Sequence, residues 1–238
     1  MRAVAINVAA NSTLPGVRGP IYPDGTFEYV PIPEREPTRP DASVPTYADL
    51  DLDVDLPDDL LDTPVHLDPA FAGVHGSTTF VYGDDHGVKA GPLSRLDPGD
   101  RLYFYATLSP RDGAAEARSW IPERWGAYVV GYFVVDRAVT GEAYRDLPAD
   151  ERATFAENAH CKRADFDAKV LVRGTDDSRL LDTAVPLSVP DAPATANDLV
   201  TDYSDDSGKG PWWRRVLRYD DAGATELAAA VTAFGRDG

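Results

Sequence analysis

Cysteine is nearly absent from this chain. Cys161 is the only one, so neither an intrachain disulfide nor a cysteine-rich zinc cluster can form. Lysine is almost as scarce: Lys89, Lys162, Lys169 and Lys209 are the only four, and the other nineteen basic residues are arginines. No apolar run approaches the roughly 20 residues of a membrane-crossing helix. No basic-then-apolar leader opens the chain either, so a cytoplasmic protein without a membrane partner is expected. The dinucleotide fingerprint GxGxxG, the phosphate-loop lysine and the GxSxG nucleophile elbow are all missing, and no repeat is visible.

What the chain has in excess is acid. Forty acidic residues face 23 basic ones, for a formal net charge of -17, and aspartate far outnumbers glutamate. Arginine in place of lysine completes the pattern of a salt-loving archaeon. In molar salt the screening length is only about 3 Å, so self-repulsion is largely removed. The charge therefore reads as adaptation to solvent. A nucleic acid would have to bind at a local site against an adverse overall field.

With 238 residues and 43% hydrophobic content the chain can bury a sizeable core, and a single domain over 1–238 is expected. Strands are predicted at 2–9, 27–32, 168–174 and 180–189, and in the stretch 99–139, where GDRLYFYATL precedes the apolar AYVVGYFVVDRAV. Helices are predicted at 146–158, with Asp146 as cap, and at 225–234. Residues 34–64 read as an acidic loop or flap holding DLDVDL, and 190–211 as a polar loop. Strands outnumber helices without βαβ alternation, which gives an α+β class. Leu102, Phe104, Ala106 and Leu108 should face the core, leaving Tyr103, Tyr105 and Thr107 as a wall on the other side.

Five polar groupings are candidates for chemistry. The N-terminal loop gathers Asn7, Asn11, Arg18 and Asp24, able to meet an anion or to cap turns. His66-Leu67-Asp68, with the distant His160 and Arg173, follows the ligand order of an iron/2-oxoglutarate dioxygenase. That spacing is permissive, Pro69 follows at once, and a histidine bonded to a loop is the plainer reading, so no metal ligand is assigned. Tyr82, Gly83, Asp84, Asp85 and His86 suggest a turn closing a hairpin. Asn158 can pair with a base edge, while His160 suits the end of the predicted helix. Trp212, Trp213, Arg214 and Arg215 can clamp a nucleic-acid backbone, or anchor the terminal helix with the arginines paired to aspartates.

The segments INVAANSTLPGVRGPIYPDGTFEYVPIPE (6–34), HLDPAF, TFVYGD, LDPGDRLYFYATL, YVVGYFVVD, ENAH and VRGTDDSRLL occur in the order of a known family. Together they resemble the nucleotide-modification-associated domain, third type. The resemblance implies a role around modified nucleobases. GDRLYFYATL with YVVGYFVVD is also similar to PUA-like, EVE and ASCH domains, which implies a mixed β-barrel or strongly curved sheet with few peripheral helices. By that analogy Tyr103 and Tyr105 would stack on a flipped base, with Asn7, Asn11, Asn158 and His160 reading its edge; Arg18, Asp24, Tyr82, Asp84 and Ser178 are further candidates for the ligand site. The expected function is thus binding or processing of a modified base or nucleotide, with a nucleic acid as partner and no cofactor specified. The alternatives are a metal-dependent or acid/base enzyme working through His66, Asp68 and His160, and an interaction protein of a modification or defence system.

Overall fold

The computed structural model describes residues 1–111 and 117–235. The chain is α+β, with a large mixed sheet and six α-helices among the described residues. It divides into two compact units. One comprises Met1–Val30, Arg101–Tyr132 and Leu180–Gly238; the other comprises Pro31–Asp100 and Phe133–Arg179.

In the first unit the strand Ala3–Asn7 pairs parallel with Arg101–Pro110 and antiparallel with Leu217–Tyr219. Its near-continuous apolar run suits a strand covered on both faces, and Ala3 to Ile6 are all buried. The helix Asp221–Phe234 starts where the Asp220 side chain accepts from Gly223 N at 2.9 Å. It buries Ala224, Leu227 and Val231 along one stripe.

The aromatic wall is not a wall. Tyr103 and Tyr105 are as fully buried as Leu102 and Phe104, so both faces of this strand are interior and no ring face is open to a ligand. A run as apolar as LYFYATL carries too little polar alternation to mark an exposed side. The hydroxyls are occupied as well: Tyr105 donates to the Arg215 carbonyl at 2.6 Å, and Arg101 Nη1 donates to the Tyr103 oxygen at 3.1 Å. Tyr105→Phe is expected to lower stability by about 1 kcal/mol through that lost hydrogen bond, read as a shifted urea midpoint at unchanged slope. A shift of several kcal/mol would contradict this assignment.

In the second unit the residues from Phe133 onward of the strand Gly126–Thr140 pair antiparallel with Val170–Gly174, which pairs antiparallel with Val81–Asp84. YGDD therefore lies mainly on a strand rather than closing a hairpin. Val81, Val139, Phe155, Ala168 and Leu171 form the apolar cluster behind this sheet. The single helix expected at 146–158 is instead three short ones, Gly141–Asp146, Ala149–Ala153 and Ala159–Lys162. Pro148 and Asn158 explain the breaks, since each stands at an N-cap in extended backbone.

Other expectations shift similarly. Residues 27–32 make no strand of their own, and Ile32–Pro33 pairs with Val65–His66 instead. The acidic stretch holds two 3₁₀ turns, Tyr47–Asp49 and Asp58–Leu60, and DLDVDL alternates in exposure without joining a ladder. Residues 190–211 contain the strand Ala192–Ala196 and the short helix Asp198–Thr201. No strand path closes into a barrel among the described residues.

Candidate active site

The second unit gathers chemistry-bearing side chains at one buried point. His66 ends the strand Val65–His66, and Asp68 follows two residues later. The Asp68 carboxylate is aimed by three contacts: Gly83 N donates to both its oxygens at 2.9 and 3.0 Å, and Asn158 Nδ2 donates at 3.1 Å. Asn158 Oδ1 accepts from His160 N at 3.0 Å, which caps the helix Ala159–Lys162 and fixes the backbone of His160.

The two imidazoles converge on that carboxylate. His66 Nε2 lies 3.6 Å and His160 Nε2 3.4 Å from Asp68 Oδ2. The rings meet edge-on, with centroids 4.9 Å apart and planes at 87°. The opposite nitrogen of each ring is braced by a second carboxylate: Nδ1 of His66 lies 2.6 Å from Glu34 Oε2, and Nδ1 of His160 lies 2.7 Å from Asp167 Oδ1. One guanidinium ties these two carboxylates together. Arg163 Nη2 donates to Glu34 Oε1 at 2.9 Å, and Nη1 donates to Asp167 Oδ2 at 2.5 Å. The side chains of His66, Asp68, His160 and Glu34 are each less than a tenth exposed.

Burial would raise the Glu34 carboxyl, but hydrogen bonds from His66 and Arg163 outweigh it and hold the group at about 2. Burial would equally depress the His66 imidazole, yet its contacts with Asp68 and Glu34 prevail and raise it to about 9. Asp85, whose Oδ2 lies 3.9 Å from Arg163 Nη1, is lowered in spite of burial by the charges of His86 and His160.

Of the residues chosen from sequence, His66, Asp68, His160 and Asn158 meet here. Asn158 is no base-edge reader: it is fully buried and both ends of its amide are committed. Tyr82 and Asp84 form a neighbouring group on the strand Val81–Asp84, where Asp84 Oδ2 accepts from the Tyr82 hydroxyl at 2.7 Å and pairs with Lys89 Nζ at 2.9 Å. Ser178 lies in the same unit and accepts from Val134 N at 3.1 Å, a structural contact. Arg173, enlisted in the dioxygenase ligand order, donates to Asp136 at 2.6 Å.

The remaining choices belong to the first unit and hold loops there. Asn7 Nδ2 donates to the Tyr105 carbonyl at 3.3 Å, and Asn11 Oδ1 accepts from Thr13 N and Leu14 N at 2.9 and 3.2 Å. Arg18 donates to Thr107 and Ser12 and lies over the Trp125 ring, while Asp24 accepts from Thr26. Arg214 donates to Thr13, and Arg215 pairs with Asp206 at 3.1 Å.

Glu34, Arg163 and Asp167 escaped the sequence reading, and Gly83 entered it only as part of a hairpin turn. Glu34 closes the long motif at 6–34, which was a usable signal; Arg163 and Asp167 carry none in their spacing. Gly83 is required by close approach: a Cβ there would lie 2.7 Å from Asn158 Oδ1 and 2.9 Å from His160 Cδ2. A cleft of about 460 Å³ also opens in this unit, lined by Arg39, Ser43, Leu67, His75, Glu157 and Lys162 among others. Leu67 stands between His66 and Asp68, so the cleft wall and the histidine–aspartate cluster share one stretch of backbone.

A family model described as nucleotide modification associated domain 3 matches residues 2–233. No curated protein and no solved structure matches the chain.

Proposed function

The chain belongs to the nucleotide modification associated domain 3 family, and from that premise we propose that it processes a nucleobase or nucleotide within a base-modification system. The reactive centre in this reading is His66, Asp68 and His160. The observation that carries it is the convergence of two buried imidazoles on one carboxylate, each braced behind by another carboxylate. A purely structural histidine needs one partner; here five side chains, Glu34, Asp68, Asn158, Arg163 and Asp167, are spent on orienting two rings.

Each part has a chemical use. Glu34 and Asp167 each engage Nδ1 of their ring, leaving Nε2 of both rings directed at the shared point. A histidine so held exchanges protons with a group brought to that point, a contribution of roughly 10²–10⁴-fold in rate. Asp68, itself pinned by Gly83 N and Asn158, keeps the two rings in register. The cleft beside Leu67 is the candidate entry for the base, with Arg39 and Lys162 as cations to meet a phosphate. The alternative in which the chain only binds a modified base, a reader model, leans instead on open aromatic faces and a free Asn158 amide, and the burial and bonding of those residues speak against it.

The test is turnover of a panel of nucleosides, nucleotides and modified oligonucleotides, followed by mass spectrometry. His160→Gln is expected to lower any observed conversion at least 100-fold, whereas Tyr105→Phe leaves it near wild type. Equal conversion by the His160 variant, or loss of nucleotide binding with Tyr105→Phe in a folded protein, would return the argument to the reader model.

A further inference from the structure

We propose that Nε2 of His66, Nε2 of His160 and a carboxylate oxygen of Asp68 together bind one divalent transition-metal ion. This rests on the reading of the cluster as a reactive centre and adds what sits in it.

The tautomers carry the argument. Glu34 Oε2 lies 2.6 Å from His66 Nδ1 and its other oxygen accepts from Arg163, so in this hydrogen bond the ring nitrogen donates and the carboxylate accepts. Asp167 stands in the same relation to His160 Nδ1, and its other oxygen accepts from Arg163. Where an ion displaces the Nε2 protons, each ring presents a lone pair at Nε2, and both lone pairs face an oxygen that is itself an acceptor. Three acceptors meet with their ligand atoms all within 4.8 Å of one another. Something positive belongs between them, and it is either protons or a cation.

Distance favours the cation. A charge-assisted N–H···O bond between an imidazolium and Asp68 should close to about 2.7–2.9 Å. The observed separations are 3.4 and 3.6 Å. Two nitrogen or oxygen ligands each about 2.0–2.2 Å from a common ion lie about 2.8–3.6 Å apart across bond angles from square to tetrahedral, and the observed separations fall at the tetrahedral end. Charge agrees. Glu34, Asp68 and Asp167 contribute three negative charges and Arg163 one positive, so the cluster with neutral rings stands at minus two. The neighbouring Asp85 adds a further negative charge on the Arg163 side, where it is paired with His86.

The donor set selects the ion class. Two imidazoles and one carboxylate suit iron(II), zinc, manganese, cobalt or nickel, and are poor company for calcium or magnesium. The carboxylates behind the histidines are the usual supports of a ligating imidazole, holding its tautomer and raising its basicity. Three protein ligands leave positions for water or substrate, which is the arrangement of a catalytic ion rather than a closed structural one.

The experiment starts from the full chain stripped with a chelator. Metal content is measured after incubation with Zn²⁺, Mn²⁺, Co²⁺ or, anaerobically, Fe²⁺, with calorimetry for affinity and visible absorption for Co²⁺. One ion per chain is expected. His66→Gln and Asp68→Asn should abolish stoichiometric binding, and Asp167→Asn should weaken it 10–100-fold. His86→Ala, in the adjacent Asp84–Asp85–His86 group, should leave it unchanged. Circular dichroism checks that each variant is folded, and the wild-type stoichiometry stands whatever the variants do. Absence of a bound ion in folded wild type overturns the proposal, as does unaltered binding by folded His66→Gln or loss through His86→Ala. A bound ion without turnover of any nucleotide sinks the catalytic reading and leaves the metal site standing; turnover by stripped protein that takes up no ion does the reverse.

Discussion

Arg163→Leu is expected to destabilise the protein by about 3–5 kcal/mol, the cost of removing one partner from a buried ionic network. The guanidinium is only 10% exposed and joins Glu34 to Asp167. With it gone, Glu34, whose side chain is 3% exposed, is left with His66 as its main counter-charge. Burial that Arg163 and His66 now outweigh would drive Glu34 toward protonation. A protonated Glu34 no longer demands a proton on His66 Nδ1, so the ring loses its fixed tautomer as well as its brace. Arg163→Lys should recover only part of the loss. An ammonium keeps the charge but lacks the planar fork that reaches two carboxylates at once. Chemical unfolding followed by fluorescence measures both variants. If Arg163→Leu falls within 1 kcal/mol of wild type, the network contributes little and the histidines are held by other means.

Gly83→Ala is expected to lower stability by about 1–3 kcal/mol, the usual range for forcing an extra methyl into a packed interior. The added carbon would lie 2.7 Å from Asn158 Oδ1, 2.9 Å from His160 Cδ2 and 3.0 Å from Leu171 Cδ2. None of these can yield freely. Asn158 is held by Asp68 through its nitrogen and by His160 N through its oxygen, and Leu171 sits opposite Gly83 in the paired strand. Relief has to come from moving the cap, which carries His160 away from Asp68. The variant should therefore lose function beyond its loss of stability: below its melting temperature, any nucleotide turnover should fall more than the folded fraction does. A destabilised variant with full turnover would mean that the position of His160 is not critical.

The sequence made part of this centre legible. His66 and Asp68 stand two apart in the sequence, and histidine is rare enough here that His160 was their natural third. The supporting carboxylates were not legible. Glu34 and Asp167 are two acids among forty, separated from their histidines by 32 and 7 residues, and only the folded backbone shows which acid faces which ring. The α+β class followed from the balance of strands and helices. The facing of the tyrosine strand did not, because an apolar run buried on both faces has no polar side to announce. Proline and asparagine at 148 and 158 were read as parts of one helix when they act as starts of two. Their capping preference was visible; that it would prevail over the inward-facing Phe155 was a matter of tertiary packing.

The interleaving of the chain bears on how such a centre is inherited. The second unit leaves off at Asp100 and resumes at Phe133, and the two ends are joined there by reciprocal bonds, Val135 N to the Asp100 carbonyl and Gly99 N to the Val135 carbonyl, each 2.8 Å. Glu34, His66, Asp68 and Gly83 come from before that gap; Asn158, His160, Arg163 and Asp167 come from after it. A recombination crossover or a truncation anywhere between 34 and 167 therefore divides the set, whereas replacement of the intervening 101–132 leaves every member on the same side. The centre is transmissible only as a pair of segments, and a gene fragment cut at any single point between them carries only part of a site.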